Sequence, residues 1–366
     1  MAGAPLHLAV ALDGAGWHPM AWREPGARPD ALLDPDYWVD LVTEAERGLL
    51  DFVTVEDSMG LQGSMRRGPD PRTDRVQGRL DALMTLARVA PVTSRIGLVP
   101  TVTTTFTEPF HVSKAVATLD WVSTGRAGWR AQLSRAWEEP LFGRRPSIAE
   151  EDLFAEAADH VEVVRRLWDS WEDDAEIRDV PTGRFVDRDK LHYVDFEGPR
   201  FSVRGPSITP RPPQGQPVVA ALAHALPIYE FASRSTDLVF ITPQDDDSLQ
   251  AILGEIAQVG GAELKVYADV FVSFDGTTDP RSDALVFDGA PTELVDLLLR
   301  WQHYGIEGVR LRPAVNATDL PVIVDEVVPL LQQAGRFRST YIEGETLRER
   351  LGLPIAENRY ARVESS

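Results

Sequence analysis

Eight times along this chain a short apolar run of strand type is followed by a longer stretch with helical spacing. The pairs are LHLAVAL (6–12) with 34–50, FVTVED (52–57) with 79–93, IGLVPTVTTTF (96–106) with 108–123, and RAGWRAQLS (126–134) with 151–171. PVVAAL (217–222), DLVFITP (237–243), LKVYADVFVSF (264–274) and GVRLRP (308–313) repeat the pattern, each followed by a helical stretch. Strands alternating with helices over short links give a parallel sheet. Eight units favour closure into a (β/α)8 TIM barrel over an open sheet. An open doubly wound sheet usually carries a Gly-rich dinucleotide turn after its first strand. Here that strand runs into DGAGWHPMAW (13–22), which does not match G-x-G-x-x-G. Residues 173–215 are rich in Pro, Gly and charge and read as an insertion between units four and five. A single domain of 366 residues, 1–366, accommodates all of this.

Composition narrows the chemistry. There are 57 acids against 37 Lys plus Arg, a formal charge of −20. That sign opposes nucleic-acid binding and adsorption to an acidic membrane. With no cysteine, disulfides, thiolate nucleophiles and cysteine metal sites are excluded. No apolar run is long enough for a membrane span, and the first residues lack the basic start of a signal peptide, so the expected compartment is the cytoplasm. The seven histidines are scattered without His-x-His, so no metal site is expected. There is no G-x-S-x-G elbow and no P-loop.

Strand alternation sorts side chains into a helix-facing and a lumen-facing set. Val309 and Leu311 suit the helices, which sends Arg310 and Arg312 inward. The same rule points Thr54, Glu56, Tyr267, Asp269 and His7 into the lumen and puts Arg130, Gln132 and Ser134 on one face. Buried acids and bases must pair, so a salt-bridge layer inside the barrel is expected. Arg130 and Arg312, nearest their strand ends, suit either that layer or an anionic, planar ligand.

Several ordered segments resemble the luciferase-like flavin-dependent monooxygenases, in the branch of the nitrilotriacetate and dibenzothiophene-sulfone enzymes. They are WHPMAWREP (17–25), LVTEAERGLLDFVTVEDS (41–58), TVTTTFTEPFHVSKAVATLDWVSTGRAGW (101–129), VEVVRRLWDSWEDDA (161–175), RGPSITPRPPQGQPVV (204–219) and FRSTYIEGETLRERLGLPIAENRY (337–360). The resemblance implies a (β/α)8 barrel and a two-component oxygenase. A separate NAD(P)H:flavin reductase would supply reduced FMN, which with O2 oxygenates a small organic substrate. It also implies a homo-oligomer. Trp17, Trp22 and Trp129 would wall the flavin or the substrate, and His18 would contact oxygen or substrate. Asp57, Thr103 and Thr104 would lie near the flavin ring.

The chain departs from that family at the cofactor. Arg130 stands where the family carries an asparagine against the flavin. Ala223, Ala225 and Ile228 replace the glycine, serine and second glycine that cradle the FMN phosphate, and Phe154 replaces a phosphate-binding tyrosine. A buried phosphate needs donors, and Arg130, His224 and Arg312 are the candidates to replace them. A deazaflavin in place of FMN, or a barrel without flavin acting as a binding or partner subunit, remains open at this point. Loop 57–78 reads as a lid or as disorder.

Overall fold

The computed structural model describes residues 5–62, 72–134, 137–142 and 149–361. Eight parallel strands close into the expected barrel: β1 (His7–Leu12), β2 (Phe52–Val55), β3 (Gly97–Thr103), β4 (Gly128–Gln132), β5 (Val218–Ala223), β6 (Leu238–Ile241), β7 (Lys265–Ser273) and β8 (Gly308–Pro313). Neighbours pair in chain order, β6 pairs with β7, and β8 returns to β1 with His7 opposite Gly308. The major helices alternate with the strands: α1 (Pro35–Arg47), α2 (Ala82–Val89), α3 (Pro109–Val122), α4 (Glu150–Asp169), α5 (Leu226–Ser235), α6 (Asp246–Gln258), α7 (Pro291–Tyr304) and α8 (Asn316–Val322). A short strand, Leu285–Asp288, extends the sheet beside the upper half of β7. Two small hairpins, Glu176–Asp179 with Arg184–Val186 and Phe196–Glu197 with Ser202–Val203, lie between α4 and β5, within the expected insertion.

The helices start by different devices. Asp81 caps α2 through the Met84 N–H at 2.8 Å, and Asp245 and Ser248 form a capping box on α6. Asp34 sits at the cap position of α1 but makes no side-chain cap bond; Pro35 at the first helical position, with its fixed φ, supplies the start instead. Helix-facing strand residues such as Val10, Val53, Leu98, Val239, Val270 and Leu311 form the main core with the helices.

Inside the barrel the layers differ in chemistry. The lower lumen is apolar and aromatic, with Phe52, Val99, Val218, Leu238, Phe240 and Tyr267 in one cluster. The C-terminal segment seals it from below, because Leu347 and Leu351 join the same cluster. Gly97 permits this approach: a Cβ there would meet Leu347 at 2.7 Å. The charged side chains lie toward the C-terminal ends of the strands, where barrel enzymes place their sites.

Candidate active site at the barrel mouth

The upper lumen is a continuous ionic layer, and strand alternation builds it. Arg310 on β8 reaches Asp269 on β7 through Nε at 2.8 Å and Nη2 at 2.5 Å, and donates to the Thr54 hydroxyl on β2 at 3.1 Å. Its guanidinium lies 3.8 Å from the centre of the Phe240 ring, the roof of the aromatic layer. Arg312, two residues further up, also holds Asp269, through Nε at 2.9 Å and through Nη2, and reaches Asp283 through Nη1 at 2.5 Å. Arg130 on β4 donates to Glu56 at 2.5 Å, to Gln132 Oε1 at 2.8 Å and to the Thr101 hydroxyl at 3.0 Å. Three guanidiniums thus meet three carboxylates, and the layer is neutral. Asp269, Arg310 and Arg312 are essentially excluded from solvent, so these charges persist only because each is paired.

Above the layer, the loops after β1 and β8 are locked together. Trp17 N–H donates to the Pro313 carbonyl, His18 N–H to Ala314 and Asn316 N–H to Ala15. Trp17 also donates its indole N–H to the Ala11 carbonyl at 2.8 Å and lays its ring 4.5 Å from the Arg312 guanidinium. Beside it opens a cavity of about 250 Å3, lined by Gly14, Trp17, His18, Val76, Arg79 and Arg281 among others. Arg79 is fixed there by both oxygens of Asp13, at 3.0 and 2.5 Å. The cavity lies just under the roughly 300–1,000 Å3 of sites that enclose drug-sized ligands. Across the mouth, Trp137 packs over Gly60, where a Cβ would meet the indole at 2.2 Å, and Phe106 stacks on Phe142 at 4.7 Å.

The candidate residues divide. Arg130, Arg312, Trp17 and His18 meet at the mouth, with His18 accepting from the Met20 N–H at 3.2 Å. Thr103 lies on the lumen-facing set of β3. Ser134 is buried, and its hydroxyl oxygen has no hydrogen-bond partner among the described residues. His224 is exposed at the rim; partial loss of water around the ring lowers its imidazole pKa, and the charge of Asp283 acts against the shift.

Other candidates are committed elsewhere. Trp129 is a correction: it faces the helices, fully buried in the main core 6.0 Å from the His160 ring, and cannot wall a ligand in the lumen. Trp22 donates to the Asp74 carbonyl at 3.0 Å and packs with Ala15, Ala21 and Ala27, outside the cavity wall. Thr104 is buried, with its hydroxyl donating to the Gln132 carbonyl at 3.2 Å. Asp57 accepts the Ala82 N–H at 2.9 Å and the Ser58 N–H at 2.7 Å, so it anchors the start of α2; burial nevertheless pushes its carboxyl up. Of loop 57–78, residues 63–71 lie outside the described residues; the flanking Gln62, Arg75 and Val76 line the cavity. Asp283 and Trp137 carry no periodic signal in the sequence and were found only in the structure. Among the described residues no group of His, Cys, Asp or Glu could hold a metal ion, and no helix is long and apolar enough to cross a membrane.

The burial of His160 gives a testable pH dependence. Burial pushes its imidazole down to about 3, against an ordinary 6.5. The unfolded chain therefore binds a proton between those values that the native chain does not. The corresponding stability is present above pH 6.5 and is lost as the pH falls toward 3, at roughly 1.4 kcal/mol per pH unit. Urea unfolding of His160→Gln at pH 7 and pH 4.5 is expected to show a smaller loss than wild type; an equal loss would mean that His160 ionises in the native state.

The mouth joins aromatic walls and paired charges at the C-terminal ends of the strands of a (β/α)8 barrel, where barrel enzymes place their sites. The comparisons agree. The sequence model of the luciferase-like monooxygenases matches residues 17–295. N-acetyl-S-(2-succino)cysteine monooxygenase of Bacillus subtilis (strain 168) is 30% identical, covering 98% of both chains. Nitrilotriacetate monooxygenase component A of Aminobacter aminovorans is 29% identical over 99% of both. The crystal structure of a long-chain alkane monooxygenase superposes with a TM-score of 0.87 at 22% identity, over 96% of each chain, and shows the same fold. The chain belongs to the luciferase-like monooxygenase family, and it is a flavin-dependent monooxygenase.

The turn after β5 offers no side-chain hydroxyl to the phosphate of the FMN that this family implies. Ala225 sits at the N-cap of α5 with no side-chain cap bond, followed by Leu226 and Pro227. Phe154 and Ile228 pack against the main core. No hydroxyl is offered by any of them, and Pro227 lacks an N–H.

Proposed function

We propose that the protein takes reduced FMN from a separate NAD(P)H:flavin reductase and uses O2 to oxygenate a small organic molecule. The observation that carries this reading is the full-length likeness to named monooxygenases, joined to a barrel whose cavity opens at the C-terminal mouth. The flavin supplies the oxygen chemistry when bound. The chain's own residues supply position and exclusion of water: Trp17 walls the cavity, and Trp137 packs on Gly60 in the loop after β2. His18 and Trp17 would touch the substrate, and Arg130 and Ser134 would face the flavin. Arg75, Arg79 and Arg281 outnumber Asp13 and Asp279 in the cavity wall, which suits a substrate bearing an anionic group, in keeping with the carboxylated compounds in the names of the two full-length relatives. The full-length likeness to named monooxygenases favours this reading over a deazaflavin or a flavin-free role.

The test couples the purified protein to a flavin reductase, NADH and FMN under 18O2. The substrates offered are a thioether carboxylate, an aminopolycarboxylate and an aryl sulfone. One 18O atom in a product supports the proposal. Consumption of NADH with hydrogen peroxide as the sole oxygen product from all three would reject it.

A further inference from the structure

If the turn after β5 lacks phosphate donors, an anionic cofactor needs another anchor, and the ionic layer contains one. The three carboxylates of that layer are not equivalent. Asp269 is fully buried and accepts from both Arg310 and Arg312. Glu56 is 11% exposed and lies between Arg130 and Arg310. Asp283 is 51% exposed and its carboxylate meets the layer through Arg312 Nη1 alone. It is the member that a solute can replace.

Arg312 is built to receive that replacement. Asp269 holds its Nε and Nη2, and the Trp17 ring covers one face at 4.5 Å, so Nη1 points at Asp283 and the rim. The backbone around Asp283 is tied down separately: its carbonyl accepts from Gln244 Nε2 at 2.6 Å, and the neighbouring Ser282 hydroxyl donates to the Ala284 carbonyl at 2.9 Å. A side-chain rotation is therefore enough to withdraw the carboxylate. Withdrawal leaves three guanidiniums against two carboxylates, a local excess of one positive charge. His224 stands at the same rim, and Asp283 and Arg312 are the charges it feels most strongly. The ends of strands 7 and 8 are also where barrels commonly bind phosphate.

We propose that Arg312 is the anchor for the flavin's phosphate and that Asp283 holds its place as an internal, displaceable anion. This rests on the flavin-dependent function proposed above. The Nη1–H donates to a phosphate oxygen as it does to a carboxylate, and the positive charge left by withdrawal of Asp283 favours the anion that replaces it. The same chemistry would accept a free phosphate ion or a substrate carboxylate, and the test separates these sources.

The experiment is calorimetric titration of wild type and Asp283→Asn with FMN, riboflavin, inorganic phosphate and succinate. Asp283→Asn is expected to bind FMN about tenfold more tightly than wild type, with riboflavin changed less than about twofold. Thermal melts of Asp283→Asn confirm folding, and Arg312→Lys, which keeps the charge but loses the Nη1 donor, is expected to weaken FMN while leaving riboflavin alone. Equal FMN affinity in wild type and Asp283→Asn, with riboflavin binding as well as FMN, would overturn the anchor and leave the flavin function standing. A gain for phosphate or succinate without one for FMN would assign Arg312 to another anion and overturn the proposal as stated. No binding of either flavin to any variant would overturn both.

Discussion

Asp269→Ala is expected to lower the stability of the protein by roughly 3–5 kcal/mol, the usual cost of stranding a buried charge. The carboxylate is fully buried and accepts two bonds from Arg310 and two from Arg312. Its removal leaves two guanidiniums side by side in the lumen, with Glu56 3.6 Å from one and Asp283 beside the other. Neither can reach both cations as Asp269 does. Asp40→Ala is the natural control, because the Arg28–Asp40 pair is 44% and 58% exposed and such pairs contribute about 1 kcal/mol or less. Urea denaturation of both variants measures the contrast. A loss below about 1 kcal/mol for Asp269→Ala would mean that water enters the layer freely.

The second large effect is expected at Gly16. Its φ is +147°, and a Cβ there would lie 2.2 Å from the Ala314 carbonyl oxygen, a backbone atom that has little room to yield. Gly16 precedes the two residues whose N–H groups bind the β8 loop, Trp17 and His18. Gly16→Ala must therefore push the loops apart and move both side chains at the mouth. The strain is worth about 1–3 kcal/mol. A displacement near 1 Å in a positioned group can cost about a hundredfold in turnover. The expected result is a modest fall in melting temperature with a loss of oxygenation far beyond it. Activity falling only in proportion to the folded fraction would show that the Trp17–His18 loop does not position the reacting groups.

Periodicity made most of the architecture legible. Each of the eight apolar runs became a barrel strand, because a strand covered by helices on one face and by lumen on the other must alternate. The same rule correctly turned Arg130, Arg310, Arg312, Glu56 and Asp269 inward and required them to pair. It also carried the information that corrects Trp129: adjacent to Arg130 on β4, it has to face the opposite side. Its tryptophan character and its place in the family's motif had suggested a flavin wall. What periodicity cannot convey is contact between loops. Asp283 meets Arg312 from an irregular segment after β7, Asp57 caps a helix 25 residues away in the chain, and Trp137 crosses to Gly60. Those contacts depend on how three loops lie over one rim, and no local pattern encodes that.

A crystal structure of the protein grown with FMN tests the central claim most directly. The account expects the flavin at the C-terminal mouth, its phosphate on Arg312, and the Asp283 side chain rotated into solvent. A mouth without flavin density at saturating FMN, with the Arg312–Asp283 pair intact, would contradict it.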